Sequence, residues 1–196
     1  MPKTLYLMRH GDTGAGGRFI GNTELPVTNI GLDQVAATGQ MLQHSGISAV
    51  LSSPMLRCRQ TVEQIGFTDI VNFRDDLREI HFGLWENKTF SEISNKWPEK
   101  VDSWASWSEE FCFPEGEKTA DFLARIRSVK QEIDTMEQEN VLVVSHGGVI
   151  RQLICLYLGL DPVNYLLFDI KAGCYSTLAL FSEGGILVSL NSGCSI

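Results

Sequence analysis

The chain has 196 residues, of which 43% are hydrophobic and 20% charged, and these proportions are ordinary for a globular protein. Its net charge of −8 argues against general binding to nucleic acid or to an anionic membrane, although local arginines can still bind a small anion. No apolar run approaches the roughly 20 residues of a membrane span, and no signal peptide is recognised. We therefore expect a cytoplasmic protein with a single domain over residues 1–196.

The cysteines favour reduced thiols in the core or at the surface. They are odd in number, none forms a Cys-x-x-Cys pair, and none lies at metal-ligand spacing from a histidine. Neither a bound metal nor a cofactor is expected. The cysteines are Cys58, Cys112, Cys155, Cys174 and Cys194.

The first apolar run, from Leu5 to Met8, predicts a buried strand. It ends at Arg9 and His10, and a glycine-rich loop follows over residues 14–21. Open α/β sheets hold their ligands at the carboxyl ends of the strands, so we expect these two side chains at a binding cleft.

Helix and strand patterns alternate after this loop. Thr28 predicts the N-cap of a helix that Gly46 ends. Ser53 and Pro54 predict the opening of a second helix, with the serine as cap and the proline in the first turn. The predicted strands of this half are residues 47–51 and 70–73.

The middle of the chain, residues 77–117, is predicted to be largely irregular. Thr89 and Glu92 fit a capping box, which predicts one short helix there. A long insertion in a compact domain is more often a functional lid than a connector, so we expect this insertion to contribute to a lid over the active site. It holds all the tryptophans, which are Trp85, Trp97, Trp104 and Trp107.

The C-terminal half continues the alternation. A helix is predicted over residues 119–138, a strand over 141–145 and an apolar helix through Leu158. Residues 175–181 and 186–190 predict a terminal β-hairpin. The alternation favours an α/β fold with a mostly parallel sheet covered on both faces, to which the hairpin adds an antiparallel edge.

Two histidines follow apolar strands and precede glycine. His10 ends the first strand beside Arg9, and His146 ends the strand over residues 141–145, with Gly147 next. Two such strand ends can face each other across one pocket. Histidine can act as a nucleophile as well as a base, and an adjacent arginine indicates that the group attacked is an anion, most simply a phosphoryl group.

Two further side chains suit this chemistry. Arg57 lies where a strand ends and a helix opens, and the N–H groups of a first helical turn favour a bound phosphate. Glu79 is the candidate acid that protonates the leaving oxygen. Taken singly, Arg57 could be a solvated helix residue and Glu79 a surface carboxylate. The alternative carboxyl groups for the acid role are Glu86, Glu109 and Glu117.

In combination these motifs resemble the histidine phosphatase superfamily, also called the phosphoglycerate mutase-like family. The resemblance implies a three-layer α/β/α sandwich with a mostly parallel sheet. The matched segments are Arg9-His10-Gly11-Asp12-Thr13, Gly21 to Gln34, Ser52-Ser53-Pro54 with Arg57 and Gln60-Thr61, Glu79 with Phe82-Gly83 and Trp85-Glu86, Pro114-Glu115-Gly116-Glu117, and Ser145-His146-Gly147-Gly148.

The resemblance also implies residue roles. His10 would become a phosphohistidine, Glu79 would protonate the leaving oxygen and then activate water, and no metal is implied. The phosphoryl oxygens would be bound by Arg9, Arg57 and His146. Further substrate contacts are expected from Thr13, Arg18, Asn22 and Gly147. Gly16 departs from the family pattern, because many relatives carry asparagine there, and Asn87 stands where glycine is common.

Four segments are similar to the α-ribazole-5'-phosphate phosphatases of cobalamin synthesis: residues 18–23, 82–86, 169–176 and 190–192. We therefore expect a phosphatase that acts on a small phosphorylated substrate, without nucleic acid or membrane as partner. Phosphoglycerate mutase is the alternative enzyme, and a non-catalytic module that binds phosphorylated ligands is the alternative outside enzymes. A homodimer is left open.

Overall fold

The computed structural model describes residues 2–193. Within them, six strands form one sheet and six α-helices surround it. The strands are β1 (Lys3–Arg9), β2 (Ala49–Ser52), β3 (Val71–Phe73), β4 (Asn140–Ser145), β5 (Tyr175–Phe181) and β6 (Gly184–Ser192). The helices are α1 (Asn29–Leu42), α2 (Leu56–Ile65), α3 (Phe90–Lys96), α4 (Pro98–Ala105), α5 (Thr119–Thr135) and α6 (Gly147–Leu158).

The strand order is β3-β2-β4-β1-β5-β6. The first four strands of this order are parallel, and β5 and β6 add an antiparallel edge. The mostly parallel sheet and the terminal hairpin predicted from the sequence are therefore confirmed.

Side chains alternate along each strand, so apolar side chains point to both faces of the sheet. Helices cover both faces. On β1, Leu5 and Leu7 pack in the core cluster that contains α5 and α6, whereas Met8 packs in the cluster that contains α1 and α2. The result is the three-layer α/β/α sandwich expected from the sequence.

The pairing of β1 with β4 positions the two strand-end histidines. Arg9 is the register partner of Ser145, so His10 and His146 leave the sheet at the same level on neighbouring strands. The His10 N–H donates to the Ser145 carbonyl at 3.0 Å, which extends the pairing by one residue. Residues far apart in sequence thus meet through backbone pairing.

Helix ends follow the sequence predictions unevenly. Thr28 caps α1 as predicted, since its hydroxyl accepts from the Gly31 N–H at 3.0 Å. The prediction that Ser53 caps the second helix is wrong: α2 begins at Leu56, with Met55 as an N-cap that makes no side-chain hydrogen bond. The Ser53 hydroxyl is instead 2.8 Å from His146 Nε2.

The middle of the chain is more regular than predicted. The capping box is confirmed, because Thr89 and Glu92 exchange the two expected hydrogen bonds at the start of α3. Helix α4 was not predicted; it buries none of its residues fully, and only the half-buried Val101 and Trp104 pack against the core, which is a short apolar stripe for a sequence pattern to reveal. Trp85 and Trp107 are buried, which anchors this insertion to the core.

The cysteines depart from expectation at one position. Cys58, Cys112 and Cys155 are free, whereas Cys174 is disulfide-bonded, so the prediction of reduced thiols is wrong for Cys174. Cys194 lies outside the described residues. Among residues 2–193, no helix is both long and apolar enough to cross a membrane.

Candidate active site

A cleft of about 390 Å³ opens where β1 and β4 end. Most of the site residues predicted from the sequence line this cleft, namely Arg9, His10, Thr13, Arg18, Glu79 and Gly147. Arg57 and His146 are buried beneath that lining, and Asn22 is exposed outside it. The structure thus brings together every predicted residue except Asn22.

His10 is a buried imidazole with one ring nitrogen engaged. Its Nδ1 lies 2.8 Å from the Gly11 carbonyl oxygen, which can only accept, so this geometry assigns the proton to Nδ1. The lone pair then resides on Nε2. Burial lowers the pKa of His10 well below 6.5, and the positive charges of Arg9 and Arg57 lower it further. The ring is therefore neutral near pH 7, as a nucleophile must be.

His146 packs against His10, with ring centroids 5.2 Å apart. Its Nδ1 accepts from Arg57 Nε at 3.1 Å, which leaves the proton on Nε2 to be donated to the Ser53 hydroxyl at 2.8 Å. Burial lowers the pKa of His146 well below 6.5, and the neighbouring His10 and Arg57 act in the same direction. Both strand-end histidines are therefore neutral.

Arg57 holds the buried side of the site together. Its Nη1 donates to the Thr23 carbonyl at 2.9 Å and its Nη2 to the Gly21 carbonyl at 2.8 Å, while Nε binds His146. Only 1% of the residue is exposed. Each of its nitrogens has a protein partner, so a phosphoryl contact by Arg57 would use its remaining N–H groups and stays a prediction.

Arg9 offers an unpaired donor at the cleft. Its Nη1 donates to the Ile170 carbonyl at 2.7 Å, but its buried Nε has no hydrogen-bond partner. An unsatisfied buried donor costs free energy that a bound acceptor would recover. Burial lowers the pKa of Arg9, and the negative charge of Glu79 opposes that shift. An anion in the cleft would satisfy this guanidinium.

Arg151 adds a cation that was not predicted from the sequence. Its Nε donates to the Phe168 carbonyl at 2.7 Å, and the side chain lines the cleft. Within residues 2–193 no hydrogen bond is made by its Nη atoms. The spacing could have revealed it, because Gly147 and Arg151 are four residues apart on α6 and therefore share a face.

Glu79 is the glutamate of the cleft lining. Its Oε2 accepts from the Gly148 N–H at 3.0 Å, and its Oε1 accepts from the Ile80 N–H at 3.1 Å. The carboxyl group thus lies at the first turn of α6, beside the cleft. The other candidate glutamates are engaged elsewhere: Glu86 binds the Gly21 and Thr23 N–H groups, Glu117 pairs with Arg125, and Glu109 pairs with Arg127.

Gly148 keeps space for that carboxylate. A Cβ at this position would lie 2.5 Å from Glu79 Oε1, whereas a Cβ at Gly147 would meet Arg151 Nη1 at an ordinary 3.4 Å. We expect Gly148→Ala to fold normally and to displace the Glu79 side chain. Displacing the predicted acid by about 1 Å should lower kcat/KM for an alkyl phosphate by roughly 10- to 100-fold.

The effect of Gly148→Ala on an aryl phosphate should be much smaller, because its leaving group needs little protonation. Gly147→Ala is the matched variant, and any loss it causes should be equal for both substrates. An equal loss for both substrates in Gly148→Ala would argue that the glycine acts by some route other than Glu79.

The buried neutral histidines predict a loss of stability in mild acid. Unfolded histidine binds a proton below about pH 6.5, whereas His10 and His146 in the folded protein remain neutral because their pKa values are lowered. The unfolded state therefore binds more protons, and the free energy of unfolding should fall as the pH drops below about 6.5, by up to about 1.4 kcal/mol per pH unit per histidine.

Urea unfolding between pH 7.5 and 5 would measure this slope. His10→Ala should reduce it by about half, since one of the two titrating groups is removed. His44→Ala, at an exposed histidine, should leave it unchanged. A slope that is the same in all three proteins would contradict the expectation.

The rim of the cleft explains one departure from the family pattern. Arg18 is exposed and donates to the Asn87 carbonyl at 2.7 Å and to Glu92 at 3.4 Å. Asn87 has a φ of 60°, a left-handed conformation that glycine and asparagine tolerate best. Asparagine therefore satisfies the backbone requirement at this position. Gly16 lies on the cleft lining, with open space around it.

The profile of the histidine phosphatase superfamily (branch 1) matches residues 5–193. The chain therefore belongs to this superfamily and is a phosphatase-type enzyme.

Individual relatives agree with this membership. The adenosylcobalamin/alpha-ribazole phosphatase of Salmonella typhimurium is 28% identical over 193 residues and covers 96% of each chain. Phosphoserine phosphatase 1 of Hydrogenobacter thermophilus is 25% identical over 197 residues and covers 98% of this chain and 93% of its own length. The crystal structure of the alpha-ribazole phosphatase of Shigella flexneri superposes with a TM-score of 0.86 at 26% identity and covers 97% of each chain.

Proposed function

We propose that the protein hydrolyses phosphomonoesters through a phosphohistidine at His10. The observation that carries this proposal is the neutral His10 ring, whose Nε2 lone pair is free in a cleft that also holds the Arg9 guanidinium and the Glu79 carboxyl. A nucleophile, a cationic donor and a proton donor are the groups that phosphoryl transfer requires.

In the first step His10 Nε2 attacks phosphorus while the bond from phosphorus to the ester oxygen breaks. The leaving oxygen takes the proton of the Glu79 carboxyl and departs as an alcohol. In the second step the Glu79 carboxylate takes a proton from water, the water oxygen attacks phosphorus, and the nitrogen–phosphorus bond breaks to release phosphate. Arg9 stabilises the charge on the phosphoryl oxygens throughout.

The proposed roles of the buried pair follow from their contacts. Arg57 bonds to the loop at residues 21–23 and to His146, and the His146 ring packs against His10, so the pair helps to orient the nucleophile even where it does not touch the phosphoryl group. The insertion over residues 77–117 supplies Glu79 and Phe82 to the lining, which supports its proposed part in a lid over a single domain.

Our first candidate substrate is α-ribazole-5'-phosphate, in cobalamin synthesis. It is supported by the names of the Salmonella typhimurium and Shigella flexneri relatives and by the similarity of residues 18–23, 82–86 and 169–176. A purified-enzyme screen with α-ribazole-5'-phosphate, phosphoserine, 3-phosphoglycerate, fructose bisphosphates and nucleotides tests the proposal. The highest kcat/KM is expected for α-ribazole-5'-phosphate, with release of inorganic phosphate.

The same screen separates the alternatives. Interconversion of phosphoglycerates without release of phosphate would replace hydrolysis by mutase chemistry. Binding of phosphorylated ligands without turnover of any of them would replace the enzyme by a binding module.

Activity should not require a metal ion. Arg9, Arg57 and Arg151 supply positive charge at the site, and among residues 2–193 no group of three or more histidine, cysteine, aspartate or glutamate side chains is arranged to hold a metal. We expect full turnover after dialysis against EDTA, measured by phosphate release. Loss of turnover that added Mg²⁺ or Zn²⁺ restores would contradict this expectation.

A further inference from the structure

A second cavity of about 160 Å³ adjoins the cleft. The two cavities share four lining side chains, which are Phe19, Glu79, Phe82 and Arg151. Beyond these, the second cavity is lined by Ile80, Trp104, Gly148, Tyr165 and Leu166. We call the space between Phe19, Phe82, Trp104, Tyr165 and Leu166 the aromatic side pocket.

Contacts between rings fix the walls of the aromatic side pocket. Phe19 packs edge-on against Phe82, with centroids 5.1 Å apart, and against Trp104 at 5.9 Å. Tyr165 stacks on Trp107, with centroids 4.1 Å apart. Edge-on and offset-stacked arrangements are favourable for aromatic pairs, so the walls are already formed without a ligand.

Glu79 connects the chemistry to the aromatic side pocket. Arg9 and His10 line the cleft but not the second cavity, whereas Glu79 lines both. An ester oxygen that receives a proton from Glu79 must therefore lie at the boundary between them. The phosphoryl group then lies in the cleft next to His10, and the alcohol part of the substrate extends toward the aromatic side pocket.

The pocket has the size of an aromatic ring site, and its walls are apolar apart from Glu79 and Arg151. A cavity of about 150 Å³ lined by apolar side chains can hold one benzene ring. Leu166 is apolar and 60% exposed at the pocket, so a bound ring would cover it. Arg151 is the one cation of the lining among the described residues, and a guanidinium packs well on an aromatic face.

We propose that the aromatic side pocket binds an aromatic ring carried by the alcohol part of the substrate. This inference rests on the proposed function, because it places the reacting phosphoryl group at His10. It assigns Trp104, Tyr165 and Leu166 as residues that determine specificity and assigns them no part in the chemistry.

Two alkyl phosphates, one with a phenyl ring and one without, test this proposal directly. 2-Phenylethyl phosphate and ethyl phosphate leave as primary alcohols of similar basicity, but one of them can fill the aromatic side pocket. We expect kcat/KM to be about 10- to 100-fold higher for 2-phenylethyl phosphate, the gain that burying one phenyl ring provides. Trp104→Ala should lower this ratio about tenfold. Trp97→Ala is the matched control, because Trp97 lies in the same insertion but outside the pocket lining, and it should keep the ratio.

A binding measurement separates this inference from the proposed function. Calorimetric titration of His10→Ala, which cannot form a phosphohistidine, should show the same preference for 2-phenylethyl phosphate in Kd, and adding Trp104→Ala should remove it. If this preference appears although the wild-type protein hydrolyses neither ester, the ring site is supported and the proposed hydrolytic function is contradicted.

Equal Kd values for the two esters in His10→Ala would overturn the ring site, whatever the activity.

Discussion

Replacing His10 by alanine is expected to lower kcat by roughly 10⁴-fold or more and to prevent any covalent phosphoenzyme from forming, since loss of a catalytic nucleophile typically has effects of this size. The reason is the ring's geometry: the Gly11 carbonyl fixes the proton on Nδ1, and Nε2 is the atom left to attack phosphorus. Rapid quenching with a ³²P-labelled substrate should trap an acid-labile phosphoenzyme in the wild type and none in the variant.

Folding of the His10→Ala variant must be verified by circular dichroism and urea unfolding. Removing the imidazole leaves the Gly11 carbonyl without its partner, which costs about 1 to 3 kcal/mol but does not disturb the sheet pairing. His44→Ala replaces an exposed histidine and should retain full activity. Near-normal turnover by a folded His10→Ala variant would exclude His10 as the nucleophile.

Glu79→Gln should separate the two leaving-group classes. The amide keeps an acceptor for the Gly148 N–H but has no proton to give in acid catalysis. An alkyl alcohol leaves poorly without a proton, so we expect kcat/KM to fall by roughly 10²- to 10⁴-fold for an alkyl phosphate. A p-nitrophenyl phosphate needs protonation much less, and its phosphorylation of His10 should be nearly preserved. Phosphoenzyme should accumulate, because attack by water also depends on Glu79.

The competing carboxyl groups provide the controls. Glu86→Gln, Glu109→Gln and Glu117→Gln remove carboxylates that the structure engages with backbone N–H groups or arginines away from the nucleophile. These variants should lose little activity, and equally for both substrate types. A large loss for the alkyl ester alone at one of them, with Glu79→Gln near normal, would move the acid role to that glutamate.

The parts of the site that could be predicted from the sequence depend on local patterns. One apolar run stops at Arg9 and His10, and another stops at His146. Each run indicates both a strand and the residue at which the strand ends. The rule that ligands collect at the carboxyl ends of parallel strands then brings the two ends together. Glu79 could be named from the sequence as the candidate acid, but its contact with α6 could not have been derived from its neighbours in sequence.

The remaining parts depend on tertiary contacts with no local signal. Ser53 has the sequence context of a helix cap, but its hydroxyl bonds to His146, so a distant partner prevailed over a local preference. Arg57 was expected at the cleft, and the carbonyls of Gly21 and Thr23 hold it beneath the surface instead. Helix α4 carries Trp104 to the aromatic side pocket, although Val101 and Trp104 alone give this short helix its apolar stripe.

The position of each element in the fold also sets how firmly it is held. β1 and β4 lie in the interior of the sheet, each paired on both edges, so their amide protons should exchange with solvent only when the whole molecule unfolds. Helix α4 buries no residue fully and packs on the core through Val101 and Trp104, so it should open at a fraction of that free energy. Substitutions on α4 could therefore accumulate during divergence and change which alcohol the site accepts. The spacing of His10 and His146 would stay fixed, because the backbone hydrogen bonds between β1 and β4 set it.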